Sequence, residues 1–259
     1  MSGPVATQPG TVTLAIDIGG TGLKASVLDP SGNMEHDRVR VDTPYPLPPD
    51  KLVAVLTDLV RPLGDFDRIS AGFPGMVRDG RVLSAPHFVS PEGPGGTPSA
   101  SLGRAWARFD LQGALGQALG RPCKVANDAD VQGAAVVAGE GLELVMTLGT
   151  GLGTALFHQG LLVPHLELAQ HPFQKGRTYN EAVGDAARRK AGHEKWQKRV
   201  LEAVETLRSL CFFDHCYLGG GNAERIDAKL PGDVSKVSND AGILGGIKLW
   251  ERTASHPPA

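Results

Sequence analysis

Two stretches of the chain repeat one pattern of apolar and polar positions: an apolar run, a short glycine-rich turn and a second apolar run. The first stretch runs from Leu14 to Leu28 and turns at Gly20-Thr21-Gly22. The second runs from Leu142 to Phe157 and turns at Gly149-Thr150-Gly151. Apolar runs on both sides of a short glycine turn predict a β-hairpin. Because Gly149 follows Gly20 by 129 residues in a chain of 259, the pattern also predicts an internal duplication and two lobes.

Strand and helix patterns alternate along the rest of the chain. A segment rich in proline, glycine and serine, 86–103, predicts a mobile loop of the kind that often binds substrate. The alternation predicts an α/β fold with mixed sheets. Apolar spacing predicts helices at 51–63, 111–119, 129–138, 181–210 (one long helix or two) and 241–250, and strands at 39–43, 68–73, 124–127 and 214–218.

The duplication sets the expected domain boundaries. We expect an N-terminal lobe at 1–122 and a C-terminal lobe at 123–240. The last helix, 241–255, is expected to pack on the N-terminal lobe.

Composition and charge exclude several classes of protein. The chain is 41% hydrophobic and 21% charged, which is ordinary for a soluble globular protein. A formal net charge of −2 gives no electrostatic reason for a nucleic-acid partner. Three cysteines, an odd number, predict reduced thiols rather than a disulfide framework, with a metal-binding Cys211/Cys216 pair as the less favoured alternative. No stretch is long and apolar enough for a signal peptide or a membrane span, so we expect a cytoplasmic protein with small-molecule partners.

The glycine turns indicate what the lobes bind. Successive backbone N–H groups in such turns form concavities for anions, and a pair of turns suits a nucleotide or a polyphosphate. Phosphoryl transfer also needs a carboxylate that orients the acceptor hydroxyl and takes its proton. Asp128, which ends an apolar strand before a helix, is the candidate. The alternative is that Asp128 caps a helix beginning at Ala129, and the residues alone leave both open.

Six motifs, in order and at matching spacing, make the chain resemble the ROK family of sugar kinases, and within it the polyphosphate glucokinase branch. The resemblance runs from about Leu14 to Trp250. It implies a duplicated actin-like, ribonuclease-H-like ATPase fold with sugar and donor in the cleft between the lobes. It also implies polyphosphate or ATP as donor, Mg²⁺ as cofactor, and a homodimer. The motifs are Asp17-Ile-Gly-Gly-Thr-Gly-Leu-Lys24, Gly72-Phe-Pro-Gly75, Val125-Ala-Asn-Asp128-Ala-Asp130, Leu148-Gly-Thr-Gly-Leu-Gly153, Val163-Pro-His-Leu-Glu167-Leu and Gly219-Gly-Gly221.

The resemblance assigns roles within these motifs. It makes Asp128 the catalytic base and Asn127 and Glu167 ligands of the sugar. Asp17 becomes an organiser of the Mg²⁺–phosphate cluster, for which an Asx turn that supports the glycines is the alternative. Lys24 would contact phosphate or merely solvate a strand, and the third glycine run would contact donor or form a plain turn. The phosphate-binding set is Gly19, Gly20, Thr21, Gly22, Lys24, Gly149, Thr150, Gly151, Gly153, Gly220 and Gly221.

The sugar motif departs from the family pattern. Where that pattern is Glu-Leu-Gly-His, this chain has Glu167-Leu-Ala-Gln170, with His171 one position late. Gln170 can still bind a hydroxyl but carries no charge. A second family glutamate falls on Asn180 or Glu181, and both remain candidates for sugar binding.

These departures leave the acceptor open. His87 also stands where an asparagine is usual in the family. Because a site built to pair particular hydroxyls rejects analogues strongly, the alternatives are a kinase for another sugar or polyol, and a catalytically weak sugar-binding or sensing protein. No cysteine lies between Cys123 and Cys211, so no thiolate zinc site is expected there.

One segment is strongly basic. Between Lys175 and Arg199 the chain has eight lysines and arginines against three acidic residues. Long polyanions bind such stripes through counterion release, so a polyphosphate chain could follow it. A solvated helix face is the alternative.

Overall fold

The computed structural model describes residues 10–237 and 241–252. By compactness the chain divides into two units, Met1–Ala135 with Ile243–Ala259, and Val136–Gly242. The division therefore falls after Ala135 rather than after residue 122, because the strand that begins at Cys123 pairs with a strand of the first unit. Within the described residues, no helix combines the length and apolar character that a membrane crossing needs.

A five-stranded sheet forms the centre of the first unit. Three strands are antiparallel neighbours: β1 (Thr13–Ile18), β2 (Gly22–Leu28) and β3 (Val39–Asp42). β4 (Arg68–Phe73) runs parallel to β1. After the short hairpin of β5 (Val77–Arg78) and β6 (Arg81–Val82), β7 (Cys123–Asn127) runs parallel to β4. The order across the sheet is β3-β2-β1-β4-β7.

Helices connect and follow these strands. They are α1 (Pro49–Val60), which continues into a 3₁₀ turn at Arg61–Leu63, then α2 (Ala100–Trp106), α3 (Leu111–Leu119) and α4 (Asp128–Val136). Proline at the first position of α1 suits its helix start, since the missing N–H has no intrahelical partner there. β4 is buried at all six positions, as expected for a central parallel strand between helices.

The second unit repeats the same arrangement. β8 (Leu142–Leu148), β9 (Leu152–His158) and β10 (Leu161–Leu162) are antiparallel neighbours, and β11 (Pro172–Gln174) with β12 (Arg177–Thr178) forms a separate hairpin. β13 (His215–Gly219) runs parallel to β8, and β14 (Val234–Lys236) parallel to β13. The order across this sheet is β10-β9-β8-β13-β14. Like the first sheet, it has two antiparallel pairings followed by two parallel ones. The predicted duplication is therefore confirmed.

Three helices replace the one or two expected at 181–210. They are α5 (Tyr179–Val183), α6 (Asp185–Ala191) and α7 (His193–Cys211). Gly184, in an extended conformation, separates the first pair, and Gly192, at φ +81°, separates the second. Both glycines interrupt the helical backbone, whereas the apolar spacing continued across them. Two 3₁₀ turns, Leu168–Gln170 and Ala223–Arg225, complete the unit.

The last helix, α8 (Ala241–Arg252), packs on the first sheet; residues 253–255 of the expected helix lie outside the described residues. The Ser70 hydroxyl on β4 donates to Gly246 O at 2.5 Å and accepts from the Trp250 indole N–H at 2.8 Å. At Gly245 the helix comes so close to α4 that a Cβ would overlap Val131 O. The backbones can approach this closely only because Gly245 has no side chain.

The proline-rich segment is packed rather than open. Phe88 is fully buried, with its ring 5.5 Å from both Phe73 and Trp106. The expected loop 86–103 is wrong at its end, because α2 begins at Ala100 and buries Leu102 and Trp106.

Candidate active site

The carboxyl ends of β1, β4 and β7 bring three of the sequence motifs to one edge of the first sheet. Asp17 on β1 pairs in register with Gly72 on β4, and Gly72 with Ala126 on β7. A Cβ placed on Gly72 would lie 3.5 Å from the Asp128 Cα. The first phosphate motif, the Gly-Phe-Pro-Gly motif and the Asn-Asp motif therefore meet along this edge.

The first glycine turn is held from outside by two side chains. The Gly19 N–H donates to Gly22 O at 3.0 Å, which closes the turn. The Thr43 hydroxyl donates to Gly19 O, and the Tyr45 hydroxyl to Gly20 O, both at 2.7 Å. Burial raises the pKa of Tyr45 to about 12, so its hydroxyl stays protonated and keeps donating even at the alkaline pH where a free tyrosine ionises. Neither residue carries a sequence signal that marks it as part of this turn.

The proline-rich segment lies against this turn. A Cβ on Gly20 would lie 2.9 Å from Pro94 Cγ and 3.1 Å from His87 Cγ. Gly93, at φ +91°, rests on the Tyr45 ring, where a Cβ would lie 2.7 Å from Cε2. Burial lowers the pKa of His87, so its imidazole is neutral at pH 7 and adds no charge beside the turn.

Asp17 and Lys24 form an ion pair beside the same turn. They face each other across β1 and β2, and Lys24 Nζ lies 2.9 Å from Asp17 Oδ2. The Asp17 side chain is 56% exposed and that of Lys24 35%. Lys24 therefore contacts a carboxylate at the predicted donor site instead of only solvating its strand.

Asp17 fits the kind of Mg²⁺ site that the sequence predicts. Over residues 10–237 and 241–252, no group of three or more His, Cys, Asp or Glu side chains is arranged to hold a metal ion. Mg²⁺ is commonly bound through one or two carboxylates together with waters and substrate phosphates. A single exposed carboxylate suits that donor set once Lys24 releases it.

Asn127 takes the capping position that the sequence left open for Asp128. α4 begins at Asp128, so the residue before it, Asn127, is the N-cap. Its Oδ1 accepts from the Ala129 N–H at 2.8 Å, and its Nδ2 donates to Gly75 O at 3.0 Å. The Ala129 N–H also lies 2.8 Å from Asp128 Oδ1. Asn127 is buried and the Asp128 carboxylate is half-buried at the sheet edge.

The second glycine turn is also held by its neighbours. The Gly149 N–H donates to Gly151 O at 3.0 Å, and the Asp185 N–H lies 3.2 Å from Gly149 O and 3.1 Å from Thr150 O. The Asn180 Oδ1 accepts from the Leu152 N–H at 2.8 Å and occupies the space that a Cβ on Gly151 would need. The Asn180 amide is therefore directed at the turn.

The third glycine run passes the end of β8. Gly220 has φ +82°, and a Cβ there would lie 2.6 Å from Leu148 O. The next residue but one, Asn222, donates from its backbone to Leu148 O at 3.0 Å and from Nδ2 to Gly149 O at 3.2 Å. The run thus lies directly beside the second turn.

A basic pocket adjoins the second turn. It has a volume of about 560 Å³, and its lining residues are Thr150, Asp185, Ala186, Arg189 and Lys190. Asp185 accepts from Arg188 at 2.7 Å and from Arg189 at 2.6 Å. The Arg188 hydrogen bond first, and Arg189 after it, hold the pKa of Asp185 below its usual value. Two members of the basic segment, Arg189 and Lys190, thus line a pocket together with Thr150 of the turn.

The remaining sugar-site candidates differ in their exposure and in their partners. Glu167 is half-buried, and the Nε2 of the buried His165 lies 3.7 Å from its Oε1. Gln170 is exposed in the 3₁₀ turn. Glu181 is exposed and forms a capping box, accepting from the Thr178 N–H at 2.9 Å. The motif gives His165 no predicted role, and its only sequence signal is its place two residues before Glu167.

Comparisons with known proteins identify the family. The model of the ROK family matches residues 13–163. Polyphosphate glucokinase of Mycobacterium tuberculosis is 27% identical over 277 residues, which cover 98% of this chain and 99% of that protein.

Solved structures show the same fold. The inorganic polyphosphate/ATP-glucomannokinase of Arthrobacter sp. strain KM superposes with a TM-score of 0.73 at 28% identity, covering 92% of this chain and 97% of that one. A ROK family glucokinase from Streptomyces griseus, in complex with glucose and AMPPNP, has a TM-score of 0.70 at 18% identity, covering 92% and 98%. The predicted duplicated actin-like ATPase fold is confirmed. With its motifs at the sheet edges and a family match over more than half of its length, the chain belongs to the ROK family.

Proposed function

We propose that this protein is a sugar kinase that transfers the terminal phosphoryl group of polyphosphate or ATP to a hydroxyl of glucose or a related sugar. The observation that carries the proposal is the register of the first sheet, which aligns Asp17, Gly72 and the Asn127-Asp128 pair at one edge. A phosphate turn and a half-buried carboxylate at one sheet edge provide the two functions that the transfer needs. The sugar kinases among its relatives support the same conclusion.

In the proposed reaction Asp128 is the base. Its carboxylate accepts the proton of the acceptor hydroxyl while the hydroxyl oxygen bonds to the terminal phosphorus of the donor. The bond between that phosphorus and the bridging oxygen breaks, and the shortened donor leaves with the bond electrons. Asn127, fixed as the cap of α4, cannot rotate freely and offers its remaining amide N–H to the sugar. Glu167 accepts from sugar hydroxyls.

The donor is held by backbone and cations. The Gly19, Gly149 and Leu152 N–H groups are used inside the turns, so in the proposed site the N–H groups of Gly20, Thr21, Thr150 and Gly151 bind phosphate, and Gly220 and Gly221 lie beside the second turn. Lys24 can exchange Asp17 for a phosphate oxygen. Asp17 would hold Mg²⁺ together with the donor, and the ion would neutralise charge on the transferring phosphoryl group.

Polyphosphate is the donor that the second unit favours. The basic pocket is lined by Thr150, Arg189 and Lys190, and a local surplus of cations suits a chain of repeated phosphates. Polyphosphate appears in the names of relatives at 27% and 28% identity. ATP remains part of the proposal, since one of those names includes both donors.

One experiment tests the function. Purified protein is assayed with Mg²⁺, a panel of sugars and polyols, and either polyphosphate or ATP. We expect glucose or a close relative to be phosphorylated, and Asp128→Asn to lower kcat by about 10²- to 10⁴-fold, the usual contribution of a general base.

The matched control is Asp110→Asn, at the N-cap of α3, where the side chain accepts from the Gly113 N–H. Asparagine caps a helix as well as aspartate does, so this variant should retain full activity. An active Asp128→Asn enzyme contradicts the proposal.

A second candidate function is sugar binding with little turnover. The exposure of Gln170 and the commitment of Asn180 to the glycine turn favour it, because both were candidates for holding the sugar. In the same panel, stabilisation by a sugar without any phosphorylation would support this candidate. Turnover of a different acceptor would instead mean that the changed positions respecified the pocket.

The proposal also covers the oligomeric state, the compartment and the partners of the protein. We expect a homodimer in the cytoplasm that acts on small molecules rather than nucleic acid, in keeping with the net charge of −2. Light scattering on the purified protein should give twice the mass of the 27.2 kDa chain.

A further inference from the structure

A buried histidine faces the carboxylate of the sugar motif in the second unit. The His165 side chain is 4% exposed, that of Glu167 is 34% exposed, and Nε2 lies 3.7 Å from Oε1. The two residues are separated by Leu166, whose side chain is 47% exposed. The chain thus turns the imidazole inward and leaves the carboxylate at the surface of the same segment.

The backbone fixes this arrangement. The Val163 N–H donates to Leu156 O at 2.9 Å, so the segment is anchored on β9 just before the histidine. After it, the Leu168 N–H donates to Leu166 O at 2.9 Å and the Gln170 N–H to Glu167 O at 3.0 Å. These hydrogen bonds define the backbone path on both sides of the pair, from which the two side chains project.

An imidazole that faces one carboxylate oxygen leaves the other oxygen to accept hydrogen bonds from a ligand. With Oε1 facing His165, Oε2 is the oxygen that remains for a ligand outside the segment. At 3.7 Å the contact is longer than a hydrogen bond. Contacts of this kind often tighten only when the substrate is bound.

We propose that His165 is a positioning residue for the acceptor sugar, which holds the Glu167 carboxylate in the orientation that accepts sugar hydroxyls. The proposal rests on the proposed function. It explains how the site works with Gln170 in place of a histidine: the imidazole reaches the glutamate from two residues before it instead of three residues after it. The sugar class favoured is one with two adjacent hydroxyls, which can both donate to the two lone pairs of Oε2.

The test separates the Nε2 group from the bulk of the ring. Glutamine at position 165 can place an amide N–H near the Nε2 position, whereas leucine fills the space without a donor. We expect His165→Leu to raise the KM for the acceptor about tenfold, since bonds to charged groups are the stronger ones, with the KM for the donor unchanged. His165→Gln should stay within about threefold of the parent.

Two further histidine variants complete the design. His158→Asn, at the exposed end of β9, is the neutral control. His171→Asn tests the competing imidazole, which is exposed and lies 2.8 Å from Pro172 O through Nδ1. If His171→Asn raises the acceptor KM and His165→Leu does not, the proposal is overturned. It is also overturned if Gln and Leu at position 165 behave alike, or if the KM for both substrates rises.

Calorimetric titration of the same variants with the sugar distinguishes this proposal from the proposed function. A parent protein that binds sugar without turnover contradicts the kinase, and His165 is then judged on the dissociation constant, with the same fold-changes expected. A parent that neither binds nor phosphorylates any sugar overturns both.

Discussion

At the scale of single residues, Asn180 illustrates how a position expected to bind the sugar can have a different role. The sequence placed it, or Glu181, in the sugar pocket. In the structure its Oδ1 accepts from the Leu152 N–H and fills the space beside Gly151. Glu181 in turn is engaged in the capping box with Thr178. The Asn180 amide can therefore occupy its place only because Gly151 has no side chain.

Two alanine substitutions in this turn should differ in effect. Gly151→Ala forces Asn180 to release the Leu152 N–H, and we expect a loss of about 1–3 kcal/mol in the free energy of unfolding, the cost of an unpaired backbone group. Gly149→Ala, two residues away, meets nothing within 4 Å and should change stability by less than about 0.5 kcal/mol. Urea unfolding measures both.

A double-mutant cycle tests the coupling. In an Asn180→Ala background the clash at Gly151 is gone, so adding Gly151→Ala should cost little more. Additive losses would show that Gly151 is required for another reason.

At the scale of elements, the crossing of α8 over α4 depends on a glycine that the sequence pattern treats as an ordinary helix position. Helix propensity alone favours alanine over glycine by about 1 kcal/mol. The contact between Gly245 and Val131 O reverses that preference, because the two backbones meet there. The outcome depends on the neighbouring helix.

The same substitution in two helices should therefore have opposite signs. Gly245→Ala should destabilise the protein by about 1–3 kcal/mol, as overpacking does. Gly103→Ala, in α2, meets nothing within 4 Å and should stabilise by about 0.5–1 kcal/mol. Thermal melting of both variants measures the two changes. Equal shifts in Tm would argue against the close approach of α8 to α4.

At the scale of the whole molecule, α8 brings a late segment of the chain back to the first sheet, and Trp250 is one of its contacts there. The Trp250 ring lies 5.2 Å from the Arg68 guanidinium carbon and 4.8 Å from Lys124 Nζ. Its indole N–H donates to Ser70. Burial and, to a lesser degree, the neighbouring Arg68 lower the pKa of Lys124 to about 8.

The lowered pKa predicts a dependence of stability on pH. Between pH 8 and the ordinary lysine value of 10.5, the unfolded chain binds more protons at this site than the folded one, so the contribution of Lys124 to stability rises with pH. The stability of Lys124→Met minus that of the parent should therefore decrease between pH 7.5 and pH 10. A constant difference, measured by guanidinium unfolding at both values, would contradict the shift.

The sequence by itself determined the duplication, the α/β class, the positions of both glycine turns and the Asn127-Asp128 junction. These features are local, because a turn, an apolar run and a strand end are encoded by residues that are neighbours in the chain. The alignment of Asp17 with Gly72 and Ala126 was decided by strand pairing over distances of more than 50 residues.

Only the tertiary structure decided what each side chain contacts. It placed Tyr45 on Gly20, Asn180 on Leu152 and His165 against Glu167. It also ended the first unit after Ala135, since β7 pairs with β4. The partner of a polar side chain is set by distance in the folded chain, and the spacing of apolar residues in the sequence does not encode that distance.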